Sequence, residues 1–252
     1  MNRLLRAPGT LFRQWKYRHY GWDRPDIGIQ DMMGGAGEWD EVPAMALAFL
    51  KQAGLLPHHT LLDAGCGPFR VGRLLISYLD PGRYTGFDGS RNLLTRGRLQ
   101  VLDKECDLER KRPRIEHLRL EDQPLRLFDR FQQRFDYILF HSIFEAISPA
   151  RIEASLRSVA SVMHPETKVY ATFFLNPLGE TWTAPISRPA RARKERAVVT
   201  YPDREWWHYT PEFFRRVCET AGTIRYVGYH DYPYPIEGTK MAEFRWNGTN
   251  QG

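Results

Sequence analysis

From Thr60 to Trp246 the chain alternates two kinds of segment, and this alternation restricts the fold more than any other feature. Short runs rich in β-branched and aromatic residues read "TLLDAG", "RYTGFD", "IEHLRL", "FDYILFHS" and "KVYATFF". Between the early ones lie "RVGRLLISYL", "RNLLTRGRLQVLDKE" and "PARIEASLRSVASVM", whose apolar residues recur every three or four positions. An apolar stripe at that period buries one face of a helix, and a helical crossover returns the next strand parallel to the last. The spacing predicts an α/β sandwich around a mostly parallel sheet. The final runs, "TIRYVGYH" and "KMAEFRW", are joined only by "DYPYPIEG", too short for a helix, so they should pair antiparallel.

Two regions fall outside this rhythm. Residues 1–41 mix bases with bulky apolar residues, as in "RLLRAPGTLFRQWKYRHYGW". Residues 176–209 carry prolines, a basic cluster and three aromatics around a histidine. Each is too long for a simple connection and is expected to be a lid or partly disordered. The expected organisation is an N-terminal arm over 1–41 and one large domain over 42–252 with an insertion at 176–209, a length that suffices for a full core.

Composition narrows the context. A formal charge of +6 favours an anionic partner or a solubilising surface. Cys66, Cys106 and Cys218 are far apart with no C-x-x-C pair, which argues against a disulfide framework or zinc site and suits a reducing cytoplasm. His58-His59 lacks a spaced third ligand, so no metal is expected. No run of about eighteen apolar residues occurs, so no spanning segment is expected.

The stretch "LLDAGCGPFRVGRLL" supplies the first site residues. Gly65 and Gly67, flanking Cys66, allow a sharp turn and close approach of backbone to a ligand at the carboxyl end of a strand. A dinucleotide fingerprint would place its third glycine where this chain has Arg70. Asp63 would repel a pyrophosphate and welcome an ammonium. Asp88, 25 residues further on and followed by Gly89, ends the second strand where an acid takes ribose hydroxyls. A ligand with an amine and a ribose but no phosphate suits these residues.

At this point the sequence resembles the class I S-adenosylmethionine-dependent methyltransferases, and more closely a bacterial branch whose first motif reads G-C-G-x-L-R-x-G. "LLDAGCGPFRVGRLLISYLDPGRYTGFDGSRNLL" carries most of the likeness, with "RFDYILFHSIFEAI" and "LRSVASVMHPETKVYATFFLNP" after it. The chain departs from that branch at Glu166-Thr167, where Gly-Gly is common, and at Ala146, where a histidine is common. The resemblance implies a Rossmann-like, doubly wound, seven-stranded sheet, mostly parallel with an antiparallel C-terminal strand and helices on both faces. It implies S-adenosyl-L-methionine as cofactor, with Asp63, Gly65, Cys66, Gly67 and Arg70 around its amino-acid end. Asp88 and Gly89 would hold its ribose, and Asp122, with Glu121 an equally placed acid, its adenine. His141 and Ser142 would line the passage from sulfonium to acceptor.

Methyl transfer to a hydroxyl gains from a general base, and the candidates are His141, then Glu145 and His208. No N-P-P-Y follows strand four, which argues against amino-methylation of DNA adenine. Arg188, Arg191, Arg193, Lys194 and Arg196 would grip phosphates or carboxylates, with Trp206, Trp207 and Tyr209 stacking on a sugar or base. In the arm, Arg3, Arg6, Arg13, Lys16 and Arg18 interleave with Leu4, Leu5, Phe12 and Trp15, a composition suited to an anionic membrane surface. The expected partner is a small-molecule or glycan acceptor, anionic or lipid-linked, with peripheral membrane contact through the arm and a homodimer as further expectations. The first functional reading is O-methylation of a sugar, glycan intermediate or small metabolite. An RNA methyltransferase and a non-catalytic scaffold are the alternatives, and the absence of a recognised nucleic-acid module disfavours the first of these.

Overall fold

The computed structural model describes residues 28–32, 36–118, 127–191, 197–204 and 206–248. The strand-like runs form β1 (Leu61–Ala64), β2 (Tyr84–Asp88), β3 (Arg114–His117), β4 (Tyr137–Phe140), β5 (Lys168–Leu175), β9 (Ile224–Asp231) and β10 (Thr239–Trp246). Their order across the sheet is β3-β2-β1-β4-β5-β10-β9. β10 is antiparallel to both neighbours, as the short "DYPYPIEG" connection requires, and the pairs from β3 to β5 are parallel. The order reverses at β1, so the carboxyl ends of β1, β2 and β4 border the crevice in which doubly wound sheets take ligands.

β1 and β4 are buried at every residue, because helices cover both faces and an unbroken apolar run can be satisfied on each. One face packs Leu62, Ile138, Phe140 and Phe173 under α4 (Pro149–Val159) and α5 (Pro211–Ala221). The opposite face packs Leu61, Tyr84, Leu139, Tyr170 and Phe174 under α1 (Ala36–Gln52) and α2 (Gly72–Tyr78). α3 (Arg91–Gly97) follows β2, and the Ser90 side chain caps it by accepting from the Leu93 amide. α1 crosses the boundary drawn at residue 41 and is tied to the domain through Arg73. That side chain donates from Nη2 to the Trp39 carbonyl at 3.0 Å and to Asp40 at 2.6 Å, and from Nη1 to Glu105.

The insertion is more ordered than its composition suggests. β6 (Ile186–Pro189) and β7 (Ala197–Thr200) form an antiparallel hairpin, and β8 (His208–Tyr209) joins the main sheet. Phe174 pairs with Thr239 of β10 and also with His208, so β8 lies on the edge of β5 that β4 occupies one turn of the ladder earlier. Thus β8 prolongs the sheet at its carboxyl edge. Arg188 is buried rather than offered to a ligand at the surface. Its Nε donates to Thr200 Oγ1 at 3.0 Å, its Nη2 donates to the Leu175 carbonyl at 2.6 Å, and its guanidinium lies 5.3 Å from the Phe174 ring centre. The expectation of a free cation fails here because the hairpin lays Arg188 over the end of β5.

Candidate active site

The turn after β1 is built on three left-handed residues in alternation: Gly65 at φ 77°, Gly67 at φ 52° and Phe69 at φ 62°. The Gly65 and Cys66 amides both donate to the Phe87 carbonyl at 2.9 Å, which fastens the turn to the end of β2. A Cβ at Gly65 would stand 2.2 Å from Ile143 Cδ1, whereas one at Gly67 would meet nothing within 4 Å. The first glycine is therefore required by packing and the second leaves a bare stretch of backbone. Phe69 is fully buried, and burial of its ring offsets a left-handed strain of about 1 kcal/mol.

Asp88 closes the turn. Its Oδ2 accepts from the Gly67 amide at 2.9 Å and its Oδ1 from the Ser90 amide at 2.7 Å. The carbonyl of Gly89 lies 3.1 Å from His117 Nε2. Asp63 sits beneath the turn and accepts from the Tyr84 hydroxyl at 2.8 Å. That hydroxyl fits a slot between Gly72 and Gly86, where added Cβ atoms would approach it to 2.5 and 2.8 Å. Burial, opposed by the Tyr84 bond and aided by the nearby Asp88, raises the Asp63 carboxyl to about 7. A cation near Asp63 would restore its charge. The Cys66 thiol is pushed well up by burial, so it lines the turn as an inert group.

Arg70 crosses the mouth of the crevice instead of turning away from it. Its Nη2 donates to the Tyr234 hydroxyl at 3.3 Å, in the connection between β9 and β10. Tyr234 lies 3.2 Å from Ser142 Oγ, which is 3.3 Å from His141 Nδ1, and His141 Nε2 lies 3.0 Å from the Tyr232 hydroxyl. His141 is brought to about 3, chiefly by burial and then by Arg70, so its ring is neutral. Ser142 adopts φ 58° and its amide donates to Thr172 Oγ1 at 2.7 Å. Thr172 in turn donates to the Glu145 carboxyl at 3.0 Å. Burial lifts Glu145 to about 8, so it is mostly protonated at neutral pH.

His208 is buried on β8, with Nδ1 3.0 Å from Thr200 Oγ1 and Nε2 without a partner among the described residues. Burial first, and Arg188 second, bring it to about 4. The structure thus joins His141 and Ser142 directly, Arg70 to them through Tyr234, and Glu145 through Thr172. Asp122 and Glu121 lie outside the described residues, as do Arg193, Lys194, Arg196 and most of the arm. Trp206 stacks on Phe174 and Trp207 on Tyr209, so these rings pack on the protein's own aromatics. Tyr232 and Tyr234 are absent from the sequence reading. Their signal is the "YPYP" of a connection that leaves β9 at the carboxyl edge, visible once the direction of β9 is known.

The sheet order, the glycine turn and the acid ending β2 define the fold of the class I S-adenosylmethionine-dependent methyltransferases. Residues 62–169, the segment that holds the turn, Asp88 and the β4 loop, match the model of a family described as a methyltransferase domain. Among solved structures, the chain is similar to magnesium protoporphyrin IX methyltransferase from Synechocystis PCC 6803 with bound S-adenosylmethionine, at 12% identity and a TM-score of 0.56, covering 97% of this chain and 99% of that one. It is also similar to 1,6-didemethyltoxoflavin-N1-methyltransferase from Burkholderia thailandensis, at 14% identity and a TM-score of 0.54, covering 98% of this chain and 92% of that one. A glycopeptide N-methyltransferase, MtfA, matches at 14% identity and a TM-score of 0.55, covering 81% and 93%. At these identities the likeness is one of fold. Among the described residues, no helix is long and apolar enough to cross a membrane.

Proposed function

We propose that the protein transfers the methyl group of S-adenosylmethionine to an oxygen of a small metabolite, sugar or glycan intermediate. The observation that carries this reading is the clasp between the Gly67 amide and Asp88, set at the carboxyl ends of β1 and β2 inside the methyltransferase-domain match. The residues fit the cofactor: Gly67 leaves backbone uncovered, Asp63 favours a cation, and Arg70 reaches across to Tyr234.

In this reading Asp88 and Gly89 hold the ribose, Asp122 lies at the adenine, and Asp63 with the turn of Gly65, Cys66 and Gly67 receives the amino-acid end. The cofactor, when bound, supplies a methyl on positively charged sulfur. What remains for the chain is alignment and exclusion of water, which together lower such barriers by several kcal/mol. His141, Ser142 and the two tyrosines form the wall between donor and acceptor. The neighbours named above act on a porphyrin, a toxoflavin precursor and a glycopeptide, which supports a small-molecule or glycopeptide-sized acceptor. Burial of Arg188 removes one of the five cations expected to grip the phosphates or carboxylates of an acceptor. The arm residues that carry the expected membrane contact lie outside the described residues.

Calorimetric titration of S-adenosylmethionine and S-adenosylhomocysteine into the wild type and Asp88→Ala tests the reading. Micromolar binding that is lost in the variant is expected. A well-folded wild type that binds neither compound would favour the non-catalytic alternative.

A further inference from the structure

Two hydrogen-bond chains rooted in buried arginines end at the carboxyl edge of the sheet. A guanidinium only donates, which gives each chain a direction. In the first, Arg70 donates to Tyr234. When each hydroxyl both accepts and donates along the chain, Tyr234 passes its proton to Ser142, Ser142 to His141 Nδ1, and His141 Nε2–H to the Tyr232 oxygen. The Tyr232 proton then points beyond the chain. In the second, Arg188 Nε donates to Thr200 Oγ1, whose own proton has His208 Nδ1 at 3.0 Å and the Ile186 carbonyl at 3.4 Å. If that proton takes the shorter contact, His208 is protonated on Nε2, a buried donor with no partner among the described residues.

The two ends share one face. Phe140 pairs with Ala171, which places His141 level with Thr172, and His208 pairs with Phe174, two residues further along β5. Thr172 and Phe174 project on the side that also packs Tyr232 and Tyr234. His208 Nε2, buried with no partner among the described residues, calls for an oxygen from elsewhere, and the Tyr232 proton, in the order given above, is free to meet the same atom.

Building on the methyl-transfer reading, we propose that the accepting atom is an oxyanion of a carboxylate or phosphate-type group, held by the Tyr232 hydroxyl and His208 Nε2–H, and not a neutral hydroxyl. A neutral hydroxyl must shed a proton, and the groups gathered at this edge take one poorly. His141 and His208 are held at about 3 and about 4, burial pushes the Tyr232 phenol up, and Glu145 already carries a proton. An oxyanion needs no base. Its lone pair forms the new C–O bond while the C–S bond breaks and its electron pair passes to sulfur. One negative and one positive charge are consumed, the product is a neutral ester when the acceptor is a carboxylate monoanion, and no proton is released. Arg188, for which no carboxylate lies within ion-pair distance among the described residues, adds a favourable field for such an anion.

Nitrogen-15 NMR of histidine-labelled protein, with and without S-adenosylhomocysteine, reads the proton positions directly, with H141Q and H208Q providing assignments. Both rings are expected as Nε2–H tautomers, and a His208 found as Nδ1–H overturns the proposal. Sodium benzoate, phenylphosphonate and benzyl alcohol then serve as probes. Benzoate or phenylphosphonate is expected to move the His208 Nε2 resonance and to bind at least tenfold more weakly to Tyr232→Phe and His208→Phe, and whichever anion does so names the group. Silence of both anions, or equal binding of the alcohol, overturns the proposal. Calorimetry with S-adenosylhomocysteine on the same samples reports separately: loss of that binding in the wild type defeats the methyl-transfer reading, whereas the tautomers test the acceptor.

Discussion

The Gly67 amide donates to Asp88 over 2.9 Å, so the turn after β1 and the acid ending β2 behave as one unit. Asp88→Asn must turn an amide NH2 toward at least one of the two backbone N–H groups the carboxylate now accepts. Loss of one such charge-assisted bond costs about 1.5–3 kcal/mol. The variant is expected to melt several degrees lower and to bind S-adenosylhomocysteine at least tenfold more weakly. Unchanged affinity by calorimetry would detach Asp88 from the cofactor.

The two glycines of the turn should respond differently. Gly65→Ala forces a Cβ into Ile143 as well as into a left-handed backbone, and should lose most soluble protein or more than about 3 kcal/mol of stability. Gly67→Ala meets no atom and carries only the backbone cost of about 1 kcal/mol. It should fold, as judged by its denaturant midpoint, yet bind the cofactor poorly because its methyl covers the bare backbone.

Phe69 offers a reversal of the usual ranking. Both Phe69→Ala and Phe69→Gly lose a buried ring at a cost of about 3–5 kcal/mol. Only glycine is also relieved of the left-handed strain, so Phe69→Gly should be more stable than Phe69→Ala by about 1 kcal/mol. Urea titration of both variants settles the order, and a more stable alanine variant would mean the turn relaxes.

Glu145 sets a pH dependence of known sign. Its folded value near 8 lies above the ordinary 4.5, so between those limits the folded state holds a proton that the unfolded state releases. Stability therefore falls as pH rises through that window, by on the order of a few kcal/mol in total. Glu145→Gln keeps an acceptor for Thr172 and cannot ionise. Its melting temperature should match the wild type near pH 5 and exceed it at pH 8.5, and parallel curves would show that Glu145 is charged in the fold.

The strands and main helices were legible because the apolar period is local, and "DYPYPIEG" decided the antiparallel strand by length alone. The likeness carried by "LLDAGCGPFR" led to the family domain and the fold that the comparisons bear out. The turn itself was read less well. Dinucleotide spacing directed attention to Arg70, whereas the backbone places its third left-handed residue at Phe69, a distinction of φ that no composition reveals. Tyr232 and Tyr234 were missed because their role depends on which end of β9 they leave. Arg188 was misjudged because a cation in a basic run looks solvated until the hairpin's path is known. His141 was expected as a base from its place on the sheet; its burial and the neighbouring Arg70, which hold the ring neutral, were not visible in that place.

The placement of β10 has a consequence for biosynthesis. β9 reaches the sheet only through β10, which is translated after it, and β5 pairs along nearly its whole length with that same later strand. Until residues 239–246 emerge from the ribosome, β5 presents an open edge to other nascent chains and β9 has nowhere to dock. A stop codon or frameshift shortly before Thr239 would therefore leave the cofactor-side half of the sheet paired but with a sticky flank, and such a product should be captured by chaperones or aggregate instead of persisting as a smaller enzyme.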